Sequence, residues 1–224
     1  MIVGMWMTRN LITIAPETPI AEAAALMASH RVRRLLVVTP NEEDLRLLGI
    51  VSATDILHAF PPDVNPFAVL PHKSAVDSTP TSEIMSRNLR TGPPDMPIEE
   101  AALLMKNYKI GALPVVRDGK LVGIITESDI FRAFVSIFSS PEAGARVTFA
   151  LTRHEDAFGL IAGLTARHAV HVLSLFTSVQ GDTPVCVVRL AGSGIEAMLE
   201  DIWKSEHRVL SVLRLDRSGV SDGI

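Results

Sequence analysis

Apolar positions in the first half of the chain follow two rhythms that alternate in a fixed order. Leu11–Ile14 is a short strand-like run, followed by a proline-bearing turn. Ile20, Ala24 and Met27 then recur at helical spacing and predict a helix from about Pro19 to His30 with one buried face. Leu35–Val38 and Leu48–Val51 are strand-sized apolar runs on either side of a charged hairpin, Thr39–Leu48, and a second helix opens near Asp55. The same order returns further on, where Arg117-Asp118-Gly119-Lys120 is the signature of a tight hairpin.

The return is a true internal repeat. Met7–Val38 lies against Met85–Val116 without a gap. Met7, Arg9, Asn10, Leu11, Thr13, Pro16, Pro19 and Ile20 meet their own kind at Met85, Arg87, Asn88, Leu89, Thr91, Pro94, Pro97 and Ile98. After hairpins of unequal length the copies realign, Gly49-Ile50-Val51-Ser52-Ala53-Thr54-Asp55-Ile56 against Gly123-Ile124-Ile125-Thr126-Glu127-Ser128-Asp129-Ile130. One such unit is marginal alone, so the two are expected to share a core. The Pro-rich stretch Phe60–Pro80 reads as the connector between them and the segment most free to move. The methionines Met5, Met7, Met27, Met85 and Met105 read as packing at helical spacing.

The last third has a different rhythm. A strand Arg146–Thr152, a helix from Ala157 to about Arg167, strands Val170–Val179 and Pro184–Leu190 around a Gln180-Gly181-Asp182 turn, a helix Gly194–Ser205 and a strand Arg208–Leu215 are expected. That β-α-β-β-α-β order is the ferredoxin-like arrangement.

Composition narrows the class. The 224 residues are 47% hydrophobic and 21% charged, as in an ordinary folded protein. Mean hydropathy is +0.29, yet no apolar run approaches the ~18 residues that span a bilayer. Residues Met1–Thr8 lack the charge and apolar core of a signal peptide, and the single cysteine, Cys186, excludes an internal disulfide, so a cytoplasmic location is expected. The net charge of −4, with signs interspersed, leaves no footprint for nucleic acid or an anionic membrane.

Candidate chemistry sits in the repeated Ser/Thr-x-x-Asp segment. A carboxylate accepts from two vicinal hydroxyls at once, hydroxyls beside a helix N-terminus favour phosphate, and the adjacent Arg33 and Arg34 offer planar donor forks. The same Asp55 and Asp129 also read as ordinary helix N-caps, and Arg33-Arg34 as a solvated pair. Two complete copies of the Met-Thr/Ser start, the Ala-rich helix ending in Leu-Met, the strand Leu35-Leu36-Val37-Val38 or Leu113-Pro114-Val115-Val116, and the closing Gly-to-Ile segment resemble the CBS-domain pair, or Bateman module.

The resemblance covers roughly residues 1–138 and implies a pseudo-two-fold pair around a cleft for adenosine ligands. It implies ribose contacts at Asp55 and Asp129, ribose or phosphate contacts at Ser52, Thr54, Thr126 and Ser128, and phosphate contacts at Arg33 and Arg34. An apolar slot for adenine is expected from Ile12, Thr13, Leu36 and Ile50. Because Gly111-Ala112 stands in the second copy where the first has Arg33-Arg34, one well-equipped phosphate position is expected, with the other weak, empty or limited to adenosine.

The last third resembles an ACT-like domain, a module that senses small molecules such as amino acids or dimerises. The family's Asp-x-Pro-Gly-x-Leu turn is approximated by Asp156-Ala157-Phe158-Gly159-Leu160-Ile161, with Phe158 in place of proline. The whole order resembles the bacterial acetoin-utilisation regulatory proteins. The expected class is thus α/β (α+β): two β-α-β-β-α CBS repeats plus a ferredoxin-like βαββαβ ACT-like domain. The expected divisions are 1–60, a linker 61–80, 81–140, 145–216 and a flexible tail 217–224.

Several other features carry little weight. Gly192-Ser193-Gly194 lacks the rest of a dinucleotide loop and reads as a strand-to-helix turn. His168 and His171 lack further metal ligands nearby. His154-Glu155-Asp156 reads as a solvated loop and Cys186 as a core thiol. No nucleophile, base and orienter assemble from motif spacing. The CBS resemblance thus implies a homodimer that takes an adenine nucleotide as its regulatory ligand, and no catalysis and no required cofactor or metal are expected. A ligand-independent dimerisation scaffold and an S-adenosylmethionine or NAD sensor are the alternatives.

Overall fold

The computed structural model describes residues 1–39, 45–60, 65–67, 78–139, 142–152, 156–204 and 208–215. Most of the connector, the tip of the first hairpin, His154, Glu155 and the expected tail lie outside the described residues. The chain forms two compact units, residues 1–132 and 133–224. Among the described residues, no helix is long and apolar enough to cross a membrane.

In the first unit, the first copy comprises β1 (Thr13–Ile14), α1 (Ile20–His30), β2 (Arg34–Val38), β3 (Leu47–Ser52) and α2 (Ala53–Ala59). β1 runs parallel to β2, which pairs antiparallel with β3. The second copy supplies α3 (Ile98–Tyr108), β4 (Ala112–Arg117), β5 (Lys120–Thr126) and α4 (Glu127–Phe138), which runs on past the end of the unit. Its counterpart of β1 shrinks to one parallel bridge, Gly92 to Val115. Pro93 and Pro94 follow immediately and have no N–H to extend the ladder.

α1 buries Ile20, Ala23, Ala24 and Met27, as its spacing predicts. Both α1 and α3 end on a left-handed residue that is not glycine, Arg31 at φ 55° and Lys109 at φ 52°. Each is held by a six-residue closing bond, Val32 N–H to Met27 C=O at 3.0 Å and Ile110 N–H to Met105 C=O at 3.0 Å.

The two copies exchange their leading segments. Thr8 N–H donates to Ile124 C=O at 2.9 Å and Ile124 N–H returns to Thr8 C=O at 3.0 Å. The reciprocal pair joins Ser86 and Ile50 at 2.9 and 3.0 Å. Thr81, wholly buried, donates its hydroxyl to Ala15 and Pro16 C=O at 3.3 Å each.

Met7 and Met85 thus pack outside any helix, each on a glycine of the other copy. A Cβ on Gly123 would stand 2.5 Å from Met7 Sδ and 3.1 Å from Thr8 O, and Gly49 meets Met85 and Ser86 in the same way. The helical-spacing reading of the methionines therefore holds for Met27 and Met105 only, and Met5 is 68% exposed. The first core consequently takes in Ile84 and Met85 beside Ile20, Met27, Leu35 and Val51.

The second unit is a four-stranded antiparallel sheet in the order β7-β8-β6-β9. Its elements are β6 (Gly144–Ala150), α5 (Ala157–Thr165), β7 (His171–Gln180), β8 (Thr183–Ala191), α6 (Ile195–Lys204) and β9 (Val209–Leu215). That is the ferredoxin-like order expected of βαββαβ. Val147, Phe149, Cys186 and Val188 face α5 and α6 in one core, which makes Cys186 a packed thiol. Asp156 caps α5 by accepting from Phe158 N–H at 3.1 Å, and Phe158 itself is exposed. Gly192, at φ 129°, makes the turn into α6.

His168 Nε2 lies 3.0 Å from Asp201, whose carboxyl this hydrogen bond, against a smaller effect of burial, holds below its usual range. His171 Nε2 lies 2.8 Å from Glu142. No group of three candidate metal ligands occurs among the described residues.

The exchange predicts that Gly123→Val costs about 1–3 kcal/mol through overpacking. Adding Met7→Ala should recover part of that loss. Urea denaturation of the single and double variants measures the coupling.

Candidate functional site

Each copy ends β-strand to helix on a reciprocal cap. Ser52 Oγ accepts from Asp55 N–H at 3.2 Å, while Asp55 Oδ2 accepts from Ser52 N–H and from its hydroxyl at 2.7 Å each. Thr126 and Asp129 repeat the arrangement at 3.3, 2.9 and 2.7 Å. The N-caps are therefore Ser52 and Thr126. Asp55 and Asp129 sit in the first turn and complete capping boxes, which corrects the reading of the aspartates as the caps.

The box uses one carboxylate oxygen. Asp129 Oδ1 accepts from Arg132, whereas Asp55 Oδ1 remains open among the described residues. Each carboxylate retains lone pairs for further donors.

Two cavities flank these boxes, and each is built from both copies. The first, about 410 Å³, joins Thr126, Glu127, Ser128 and Asp129 of the second copy to Ile12, Arg31, Arg33, Arg34 and Leu36 of the first. Val32 and Ile124 add apolar wall. The second, about 400 Å³, joins Ile50, Ser52 and Asp55 of the first copy to Ser86, Arg90, Tyr108, Lys109 and Ile110 of the second. Both volumes fall in the range of small-molecule sites. The lining is related copy to copy: Arg31 answers to Lys109, Val32 to Ile110, Asp129 to Asp55.

Of the residues singled out in the sequence, Ile12, Arg33, Leu36, Thr126, Ser128 and Asp129 meet in the first cavity and Ile50, Ser52 and Asp55 in the second. Arg34 lines both. Thr13 and Thr54 line neither; Thr13 is taken up in β1, and Thr54 is exposed on the first turn of α2. Ile50 pairs with Leu36 across β2 and β3, yet it lines the second cavity while Ile12 and Leu36 line the first, so the expected adenine slot is divided between two cavities.

The inequality of the copies coincides with a close approach at Gly111. A Cβ on Gly111 would collide with the Arg34 guanidinium and lie 3.0 Å from Glu127 Oε2. Gly111 is thus the space into which Arg34 extends, and a second bulky pair at positions 111–112 would contest it. The cations that sequence reasoning passed over are Arg31, Arg90 and Lys109. Arg31 and Lys109 could have been found as basic residues recurring at one repeat position. Arg90 faces Tyr108, its guanidinium carbon 4.2 Å from the ring centre.

Thr126→Ala and Asp129→Ala each remove part of one box and should cost about 1 kcal/mol. The double variant should cost less than the sum, because the two residues act on each other. Chemical denaturation without nucleotide reads all three.

The CBS domain family profile matches residues 3–62 and 82–136. Inosine-5′-monophosphate dehydrogenase of Aquifex aeolicus is 33% identical over 125 residues, 55% of this chain, and the match spans only 22% of that relative's length. A crystal structure from Vibrio cholerae bearing the name of an acetoin utilization protein, AcuB, is 32% identical, with 61% of this chain and 91% of that one covered at a TM-score of 0.51. The CBS domain pair of protein MJ0100, in complex with 5′-methylthioadenosine and S-adenosyl-L-methionine, is 31% identical, covering 61% and 97% at a TM-score of 0.50.

Proposed function

Because the chain belongs to the CBS-domain family, we propose that it is a non-catalytic regulatory protein that binds an adenine nucleotide in its first cavity and passes occupancy to a partner or metabolic target. The observation that carries this reading is the first cavity itself, where an apolar wall, a carboxylate and a cluster of arginines converge. Ile12, Val32, Leu36 and Ile124 offer a slot for the base. Asp129 retains acceptor capacity for ribose hydroxyls, and Thr126 and Ser128 lie beside it at the start of α4. Arg31, Arg33 and Arg34 supply planar, permanently charged donors for phosphate. The left-handed backbone at Arg31, which closes α1, sets that residue at the cavity wall.

Regulation requires that the ligand favour one arrangement of the protein over another. The ferredoxin-like unit is read as an ACT-like domain that dimerises or senses a small molecule, and the whole as a cytoplasmic homodimer. Phe131, 71% exposed on α4, and its neighbour Val135 are apolar surface available for association. The ligands named for the MJ0100 structure favour S-adenosylmethionine as a second reading.

A nucleotide at 100 times its Kd adds about 2.7 kcal/mol to the folded state, a shift of several degrees. AMP, ADP, ATP, NAD and S-adenosylmethionine should be compared on ligand-free protein. The stabilising nucleotide should lose its effect in Asp129→Ala and retain it in Asp55→Ala, each measured against its own ligand-free baseline. Arg33→Ala should weaken AMP more than adenosine. Absence of any shift with every adenosine compound would replace this reading with the ligand-independent scaffold.

A further inference from the structure

The second cavity differs from the first at one position of its apolar wall. Where Ile12 lines the first, the repeat places Arg90 in the second. Tyr108 covers one face of the Arg90 guanidinium at 4.2 Å, which orients the group and leaves its N–H edges as donors. Lys109 enters from the left-handed end of α3, and Arg34 reaches in over Gly111. No described carboxylate lies in ion-pair range of Arg34, Arg90 or Lys109. Among the described residues, three cations therefore share a concave space with one acid, Asp55, half of whose carboxylate is already bound by Ser52. The first cavity holds two acids, Glu127 and Asp129, against its arginines.

We propose that the second cavity is a site for a compact, multiply charged phosphoanion without a nucleobase, and that Arg90 sets this selectivity. Convergent unpaired cations in a cleft focus field on an anion, and guanidinium edges match phosphate oxygens two at a time. Arg90 replaces one apolar residue of the wall on which a purine would pack, while Ile50, Leu89, Ile110 and Pro114 remain, so the preference for a bare phosphoanion rests on charge. The assignment stands on the second cavity alone and does not require the adenosine reading of the first.

The test uses the full chain, freed of carried-over ligand, and inorganic tripolyphosphate titrated by calorimetry at fixed ionic strength, with adenosine titrated in parallel. Tripolyphosphate should bind, weaken as salt is raised, and lose at least tenfold in affinity in Arg90→Ile. Arg90→Lys should retain most of the affinity, and adenosine binding should be unchanged in both variants. Tyr108→Leu, which leaves Arg90 in place but unsupported, should weaken tripolyphosphate by a smaller factor. Equal tripolyphosphate affinity in wild type and Arg90→Ile overturns the proposal. So does loss in Arg33→Ala without loss in Arg90→Ile, which would place the anion in the first cavity, or no tripolyphosphate binding at all. Tripolyphosphate binding without any adenosine binding would leave this assignment standing and defeat the nucleotide reading instead.

Discussion

The first unit depends on one reciprocal contact, a methionine of each copy seated on a glycine of the other. Met7 on Gly123 and Met85 on Gly49 are close enough that a side chain on either glycine would have to displace the methionine. The backbone pairs from Thr8 to Ile124 and from Ser86 to Ile50 fix the register of that contact. They bring each copy's leading segment beside the other's closing strand. Each cavity is bounded by those segments, by the start of one copy's second strand and by the other copy's capping box. Neither copy can form a cavity alone.

Within that frame, the same residues serve the helix and the site. Ser52 with Asp55, and Thr126 with Asp129, satisfy the free N–H groups of a helix start while holding a carboxylate at a cavity wall. Capping and ligand contact are therefore compatible descriptions of one geometry. In the second unit, Arg146 and Arg189 both donate to Phe138 C=O at 3.2 Å, so the far end of α4 is held by cations that suit its dipole.

Elements and repeats were legible in the sequence because their signals are local. Helical spacing in Ile20–Met27, apolar runs at Leu35–Val38 and the βαββαβ order all survive in the structure with boundaries moved by a residue or two. The exchange was not legible, since pairing Thr8 with Ile124 leaves no periodic trace. Helical spacing accordingly misplaces Met7 and Met85, which pack on Gly123 and Gly49.

At the candidate site the sequence pointed to Arg33, Arg34, Asp55 and Asp129 through motif, but it could not distribute them. Nothing in the spacing reveals that Arg33 faces the box of the opposite copy. Arg90 and Lys109 escaped notice because a basic residue near a helix or strand end ordinarily faces solvent. Gly111-Ala112 reads in the sequence as a copy without the arginine pair, and that Gly111 also gives Arg34 room to extend has no trace in the spacing.

The exchanged segments also set an order of events during synthesis. Thr8 leaves the ribosome long before its partner at Ile124 exists, so the first copy emerges without one of its walls. Contacts of such sequence separation slow folding and prolong exposure of apolar surface, here the face that Met85 will cover on Gly49. The first copy must wait, incomplete, for the second. A chain cut in the connector would consequently yield two halves that still need each other.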